Sequence, residues 1–572
     1  MSSQYKWFRV VFPLFFLAST QSWGQLPPSV ADINSQETIR QQERERLLRQ
    51  QQEKAPDVML ERQSALGERI PLDEQPCFPI RDIVLIGEGV ERFRWALNDA
   101  SVPGDPNVGR CLGTQGINLV MKRIQNAIVA KGYVTTRVLA APQDLQSGRL
   151  ELTIVPGKIR DIRFSENRDG RGTLINALPE NPEGLLNLRD IEQALENLKR
   201  VPTADADIQI SPSSAEGAGP GDSDLLVSYR QNFPFRLSMS VDDGGSKATG
   251  KLQGSTTFSY DNWLTLNDLF YLSVNENLDK GDSGNRGTSG YTAHYSLPLG
   301  YWLLGVTGSK NRYFQRVSGI NQSYVYSGTS HNAEVKLSRN LYRDGTRKTT
   351  GWVKGWLKES NNYIDDTEVE VQRRRTAGWE LGISHREYLA ETVLDLSLAY
   401  RRGTGALRSL HAPEENFGEG TSRLGLVTAD ALLNVPFRVL GQNLRYSGQW
   451  RGQWNETPLV PQDRFSIGGR YTVRGYSGES VLSADRGWLI RNDLSTPLGG
   501  SGQELYLGLD YGEVGGPSSA FLVGHYLAGA VLGFRGGWGA VSYDVFVGQP
   551  VKHPSDFKAD HSVTGFSIYF QL

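Results

Sequence analysis

The sequence predicts a membrane all-β protein: a 16-stranded transmembrane β-barrel, preceded by two small α/β domains and a polar N-terminal helix. Three observations carry this. Residues 233–572 fall into about sixteen amphipathic runs of alternating character, the pattern of strands with one face in lipid and one in water. Nine of the twelve Trp lie in that part, several near the ends of runs (Trp263, Trp302, Trp488, Trp538), where an interfacial girdle needs them. Residues 76–232 repeat one β-α-α-β-β order twice.

The first element is a signal peptide, residues 1–24. Lys6 and Arg9 give the positive start and residues 10–18 a short apolar core. Ser22-Trp23-Gly24 is a small-x-small cleavage site, so the mature chain is expected to begin at Gln25. The alternative, a retained anchor, has too short an apolar run to span a bilayer. The chain is therefore exported, and two cysteines in an oxidising compartment are expected to pair. Cys77 and Cys111 stand 34 positions apart, and no His flanks either one as a metal site would need. A loop of that length is worth roughly 3–4 kcal/mol by the chain-entropy estimate.

Residues 25–56 are polar. Asn34 followed by Glu37 suggests a capping box, and residues 36–54 are strong helix formers with only Ile39, Leu47 and Leu48 as large apolar residues. Such a helix has no stripe to bury. It stands in water or in a polar cavity; a charged, unstructured tail is the competing reading. Residues 57–75 read as a linker.

The first α/β unit, residues 76–157, opens with a strand-like run at 78–87 and a short helix at 90–100. A stronger helix follows at 117–131, with Ile117, Val120, Met121, Ile124 and Ile128 at helical spacing and Gly132 at its end. Strands at 135–141 and 149–155 close the unit. The second, residues 158–232, repeats this with a strand at 159–165 and a short helix at 173–178. A helix capped by Asn187 comes next, and then strands at 207–211 and 224–229. Two helices over a short sheet leave a sheet edge and a groove free for an extended peptide.

The barrel follows from alternation. Phe235, Leu237, Met239 and Val241 face one way, and Arg236, Ser238, Ser240 and Asp242 the other. Leu394, Leu396, Leu398 and Tyr400 alternate with Asp395, Ser397, Ala399 and Arg401. Leu444, Tyr446, Trp450 and Trp454 alternate with Arg445, Ser447, Gln449, Arg451 and Gln453. In the closing run Phe566, Ile568, Phe570 and Leu572 oppose Ser567, Tyr569 and Gln571. Lipid rejects the Arg and Asp of the second face, whereas a water-filled lumen accepts them. A soluble sandwich shares the period, but not the number of runs, the Trp placement or a final strand able to close the sheet.

One connection is far longer than the rest, residues 455–487. It carries Val473-Arg474-Gly475-Tyr476 among glycines at 468, 469, 475 and 478, a tip able to fold back into a polar lumen. Two strands later, Leu505, Leu507 and Leu509 face out, so Gly508, Asp510 and Gly512 face in. The two glycines clear space for a bulky group at Asp510, and the planar fork of Arg474 suits a carboxylate. From pattern alone, a routine lumen Asp and a surface-loop Arg remain the competing reading.

With these motifs in hand, the chain resembles the outer-membrane transporters of two-partner (type Vb) secretion, which include the filamentous-haemagglutinin, haemolysin and contact-dependent-inhibition exporters. Their VRGY motif matches Val473 to Tyr476, and their F/G-x-D-x-G motif matches Gly508 to Gly512. The resemblance implies two polypeptide-transport-associated (POTRA) domains in the periplasm and a helix plugging the resting barrel. It implies that the loop between strands eleven and twelve enters the lumen, where Arg474 meets Asp510 of strand thirteen. The implied partner is a large secreted exoprotein, an adhesin, haemolysin, haem scavenger or inhibition toxin, whose N-terminal secretion domain adds strands to the POTRA domains. Transport would use neither ATP nor proton flux. The barrel-assembly machinery would insert a single copy into outer-membrane lipid. The C-terminal Phe570-Gln571-Leu572 departs from the terminal Phe common in such barrels but keeps an apolar outward residue.

No cofactor, metal or nucleic-acid partner is expected: the net charge is −2, no phosphate-binding Gly loop occurs, and the seven His are scattered. An enzyme is disfavoured by the absence of H-E-x-x-H and G-x-S-x-G. A diffusion porin would lack the periplasmic region. An insertase of the same superfamily, the nearest alternative, usually carries more such domains and no plug helix.

Overall fold

The computed structural model describes residues 30–53, 56–60, 68–165, 170–179, 183–279, 286–319 and 321–572. The expected signal peptide lies outside them.

Sixteen antiparallel strands form a closed barrel. In chain order they are β1 (Phe235–Asp242), β2 (Gln253–Asp261), β3 (Leu269–Asn277), β4 (Arg286–Leu299), β5 (Trp302–Ser318), β6 (Ser323–Arg343), β7 (Arg347–Ile364) and β8 (Arg374–Leu389). The second half is β9 (Thr392–Thr404), β10 (Gly425–Val439), β11 (Gln442–Asn455), β12 (Arg486–Pro497), β13 (Gln503–Gly515), β14 (Tyr526–Trp538), β15 (Val541–Lys552) and β16 (Val563–Gln571). A two-residue strand, Thr367–Glu368, folds back on β7 beyond the membrane. β16 pairs with β1 from Ser567↔Asp242 to Gln571↔Ser238, so no edge is left open. The alternation sets the register of faces. On β13, Leu507 is 52% exposed and its neighbour but two, Asp510, only 4%. Among the described residues no helix is long and apolar enough to cross a membrane.

Trp263 and Trp302 lie at turns on the periplasmic side, where the second soluble domain touches the barrel. Trp488 starts β12 at the other rim, tilted on Tyr511 at 5.4 Å. Aromatic rings thus mark both interfaces.

The first soluble domain has a three-stranded sheet in the order Asp82–Ile86, Arg149–Val155, Arg137–Leu139. Helix Thr114–Ala130 packs on it through Val120, Ile124 and Ile128, all fully buried. The run expected at 78–87 is broken in two: Phe78–Ile80 leaves the sheet and pairs with Arg110–Leu112. The Cys77–Cys111 disulfide staples that ribbon. Glu74 accepts hydrogen bonds from the N–H groups of Gly113, Gln115 and Gly116, satisfying donors at the helix start.

Asp105 ties this domain's loops together. Burial would raise its carboxyl, but hydrogen bonds from Arg123, the Ile70 N–H and Arg110 hold it down at about 2. An unfolded Asp titrates near ~3.9. A depressed folded value stabilises fully above that pH and is lost as pH falls through about 2. Asp105→Asn is expected to flatten the loss of this domain's stability between those limits, followed by proteolysis of the purified chain across an acid series.

The second domain has a sheet in the order Lys158–Phe164, Asp222–Gln231, Ala204–Pro212. Its helix Leu188–Leu198 is capped by the Asn187 side chain, which accepts from Arg189 N–H at 2.8 Å. Here the sequence expectation needs correction: residues 173–178 form turns, not a short helix. The polar groups that a helix would turn inward are engaged by the barrel. Asn176 Nδ2 donates to Pro298 O at 2.9 Å, and Asn267 Nδ2 to Thr173 O at 3.1 Å.

Helix α1 spans Val30–Gln52. It starts earlier than the Asn34 capping signal suggested. Asn34 lies inside the helix, where its carbonyl accepts from Thr38 Oγ1 at 2.9 Å. Contacts with the barrel wall along its length, rather than a local cap, fix this helix.

Candidate functional site

Polar side chains line the lumen, and α1 is bonded to them on several sides. Arg44 Nη1 donates to Gln253 on β2 at 2.8 Å, and Ser309 on β5 donates to Glu45 at 2.6 Å. Arg49 pairs with Glu334 on β6. Glu43 pairs with Arg451 on β11 at 2.9 Å, across the bore. At its lower end Gln52 Nε2 donates to Ser238 on β1, and Tyr271 OH on β3 donates to Glu53 at 3.0 Å. Two clefts of about 280 and 330 Å³ flank the helix.

The long loop enters the same lumen. Strands Phe465–Ile467 and Leu482–Ala484 pair as a hairpin stem, and their apolar side chains pack with Val473, Tyr476, Leu489, Val514 and Leu527. This is an apolar core inside a polar bore, and it pins the stem to β12–β14. At the tip, the Thr472 hydroxyl accepts from the N–H groups of Gly468 and Gly469 at 3.1 Å.

The structure brings Arg474 and Asp510 together. Arg474 Nε donates to Asp510 Oδ2 at 2.7 Å, and Nη2 to Oδ1 at 2.7 Å. The Arg474 backbone N–H adds a third bond at 3.0 Å. Both residues are buried. A bidentate, desolvated pair holds only with the remaining donors satisfied. Arg474 Nη2 also donates to Asp493 on β12 at 2.6 Å. Arg491 and Arg535 stand 3.8 and 3.6 Å from the two carboxylates, so charges of both signs are balanced around the pair.

The rest of the two motifs surrounds this pair. A Cβ on Gly508 would lie 2.6 Å from Arg474 Nη2, and one on Gly512 2.9 Å from Val473 Cγ2. Val473 is fully buried in the loop core. Gly475 has φ +100°, a left-handed conformation that a side chain would strain, and faces the Gln549 carbonyl. Tyr476 OH lies 2.9 Å from the carbonyls of both Ala528 and Lys552. Cys77 and Cys111 are remote from this site, in the first soluble domain.

Sequence reasoning missed several partners. Asp493 and Arg491 sit at inward positions of β12, and the alternation that found Asp510 would have found them. Gly529 and Gly548 lie on β14 and β15 directly beneath Arg474 and Gly475. Nothing in their local pattern separates them from other barrel glycines. A Cβ on Gly529 would overlap the Arg474 carbonyl. Gly529→Ala is therefore expected to lift the loop from the wall and reduce export several-fold. Secreted partner protein in the medium, beside the heat-shifted mobility of an intact barrel, checks this.

Arg470 Nη1 donates to Asp243 at 2.6 Å and to Phe566 O at 3.1 Å, tying the loop to the β16–β1 seam. Arg40 of α1 donates to the Gly478 carbonyl at 2.7 Å, so helix and loop are also bonded to each other.

Known proteins are similar to this chain in sequence and fold. Residues 221–536 match the family described as haemolysin secretion/activation protein ShlB/FhaC/HecB. Residues 78–157 match the ShlB-type POTRA domain and residues 158–212 a second POTRA model. The outer membrane transporter CdiB-2 of Burkholderia pseudomallei (strain 1026b) is 37% identical over 514 residues, 87% of each chain. The structure of CdiB from Acinetobacter baumannii is similar with a TM-score of 0.83 and 31% identity, covering 96% of this chain and all of the other. CdiB from Escherichia coli, at 24% identity and a TM-score of 0.79, shares the fold. The chain thus belongs to the ShlB/FhaC/HecB family: it is an outer-membrane transporter of two-partner secretion, with its POTRA domains in the periplasm.

Proposed function

We propose that this transporter recognises one large exoprotein in the periplasm and passes it unfolded through the barrel to the cell surface. The cargo is of the adhesin, haemolysin or contact-dependent-inhibition type. The observation that carries this reading is a closed barrel whose bore holds a helix bound to its wall through polar contacts. Each POTRA sheet has two edge strands, and the free edges supply backbone donors and acceptors for an incoming strand. In this reading the secretion domain of the cargo adds there, α1 leaves the lumen, and the chain threads the vacated space. The Arg474–Asp510 pair holds the loop against β12–β15 throughout, shaping the bore. Folding outside biases the direction. Family resemblance supports insertion by the barrel-assembly machinery. One chain closes one bore, and a single copy is the working unit.

Deletion of the gene tests the assignment against an insertase role. A single exoprotein missing from the medium, with other outer-membrane barrels at normal levels, is the expected result. Broad loss of barrels would replace the export reading with the insertase one.

A further inference from the structure

Residues 170–179 of the second POTRA domain have two apolar sides. Leu174 and Leu178 pack against the domain core. Ile175, between them in sequence, is 89% exposed. Both flanks of the segment are fastened to periplasmic turns of the barrel. Asn267 holds the Thr173 carbonyl, Asn176 Nδ2 reaches the carbonyls of Leu266 and Pro298, and the Gly300 N–H donates to the Asn176 carbonyl at 2.9 Å. Ile175 is thereby held between the β2–β3 turn and the β4–β5 turn.

Those turns expose apolar groups of their own: Trp263 and Leu264 on the first, Leu299 and Trp302 on the second. Trp263 lies on Phe270 of β3 at 4.8 Å, and Trp302 carries the Arg339 guanidinium 5.0 Å above its ring. Rings of this kind, at the ends of lipid-facing strands, sit at headgroup depth.

We propose that the 170–179 segment rests on the periplasmic leaflet of the outer membrane, with Ile175 at the boundary of phospholipid headgroups and acyl chains beside Trp263 and Leu264. Continuity identifies the occupant as lipid. The patch carries the barrel's own apolar belt onto the soluble domain, at a depth fixed by hydrogen bonds on either side. An exposed Ile at that depth leaves water for hydrocarbon, which is favourable. The second POTRA domain is then seated on two supports, the barrel turns and the membrane.

The test uses the full-length chain with its native disulfide intact, carrying Ile175→Cys labelled with a nitroxide, in nanodiscs of phosphatidylethanolamine and phosphatidylglycerol. A second label at Val108→Cys, exposed on the first POTRA domain, is the aqueous reference. The expected result is oxygen collision several-fold above the reference, and collision with a water-soluble nickel complex several-fold below it. Nickel collision equal to the reference would place Ile175 in water and overturn the proposal. Low collision with both reagents would place it against protein and overturn it equally.

Discussion

Export is expected to fall to near background when Arg474 or Asp510 is replaced by Ala, with the barrel still inserted. Arg474→Ala leaves two buried or half-buried carboxylates, Asp510 and Asp493, without the guanidinium that bonds both. Asp510→Ala strips Arg474 of three hydrogen bonds, two from its guanidinium and one from its backbone N–H, in the loop's tightest contact. Breaking one partner of a buried pair costs about 3–5 kcal/mol. At about 1.4 kcal/mol per tenfold, that shifts the docked-to-undocked ratio of the loop by more than two orders of magnitude. The strand ladder does not depend on this pair, so heat-modifiable mobility should persist. Arg474→Lys keeps the charge but loses the fork, and should recover little. Partner protein in the medium at wild-type levels for both Ala variants would remove the pair from the mechanism.

The second large effect concerns α1. Deleting residues 30–53 is expected to convert a nearly closed pore into an open one. A helix with its side chains is about 10–12 Å across, a diameter ample for hydrated ions. Planar-bilayer recordings should show a several-fold larger single-channel current, and cells should become sensitive to bulky antibiotics. Unchanged current would mean that the loop alone seals the bore. A milder variant, Glu43→Gln with Arg49→Gln, cuts the ties to Arg451 and Glu334 and should raise the frequency of opening without changing the maximal current.

The barrel was the most legible part of the chain, because a two-faced strand writes its environment into every second residue. Leu505, Leu507 and Leu509 against Gly508, Asp510 and Gly512 define one wall from sequence alone, and the structure keeps that division. The meeting of Arg474 with Asp510 was harder. Pattern offered both groups, but only family resemblance joined a loop to a strand across the lumen. Asp493 was missed for lack of a motif, although its alternation was equally clear. The soluble domains were read less well where local signals met tertiary demands. Asn34 reads as a cap, yet α1 runs through it, and the contacts that hold the helix lie downstream, from Glu37 to Gln52. Residues 173–178 had helical promise, yet Asn176 and the Thr173 carbonyl are spent on barrel turns.

Among its described side chains, the grip on α1 is mainly one of charge and hydrogen bonding, with Leu48 packed on the apolar cluster near its lower end, and this sets how the stopper behaves when drawn. Little greasy surface is uncovered on withdrawal, so the freed helix stays soluble beside the pore and does not clump. Its release should carry a small heat-capacity change and depend weakly on temperature. It should depend strongly on ionic strength, since salt weakens such contacts once water reaches them. The resting seal of this pore is thus tuned by the electrolyte around it.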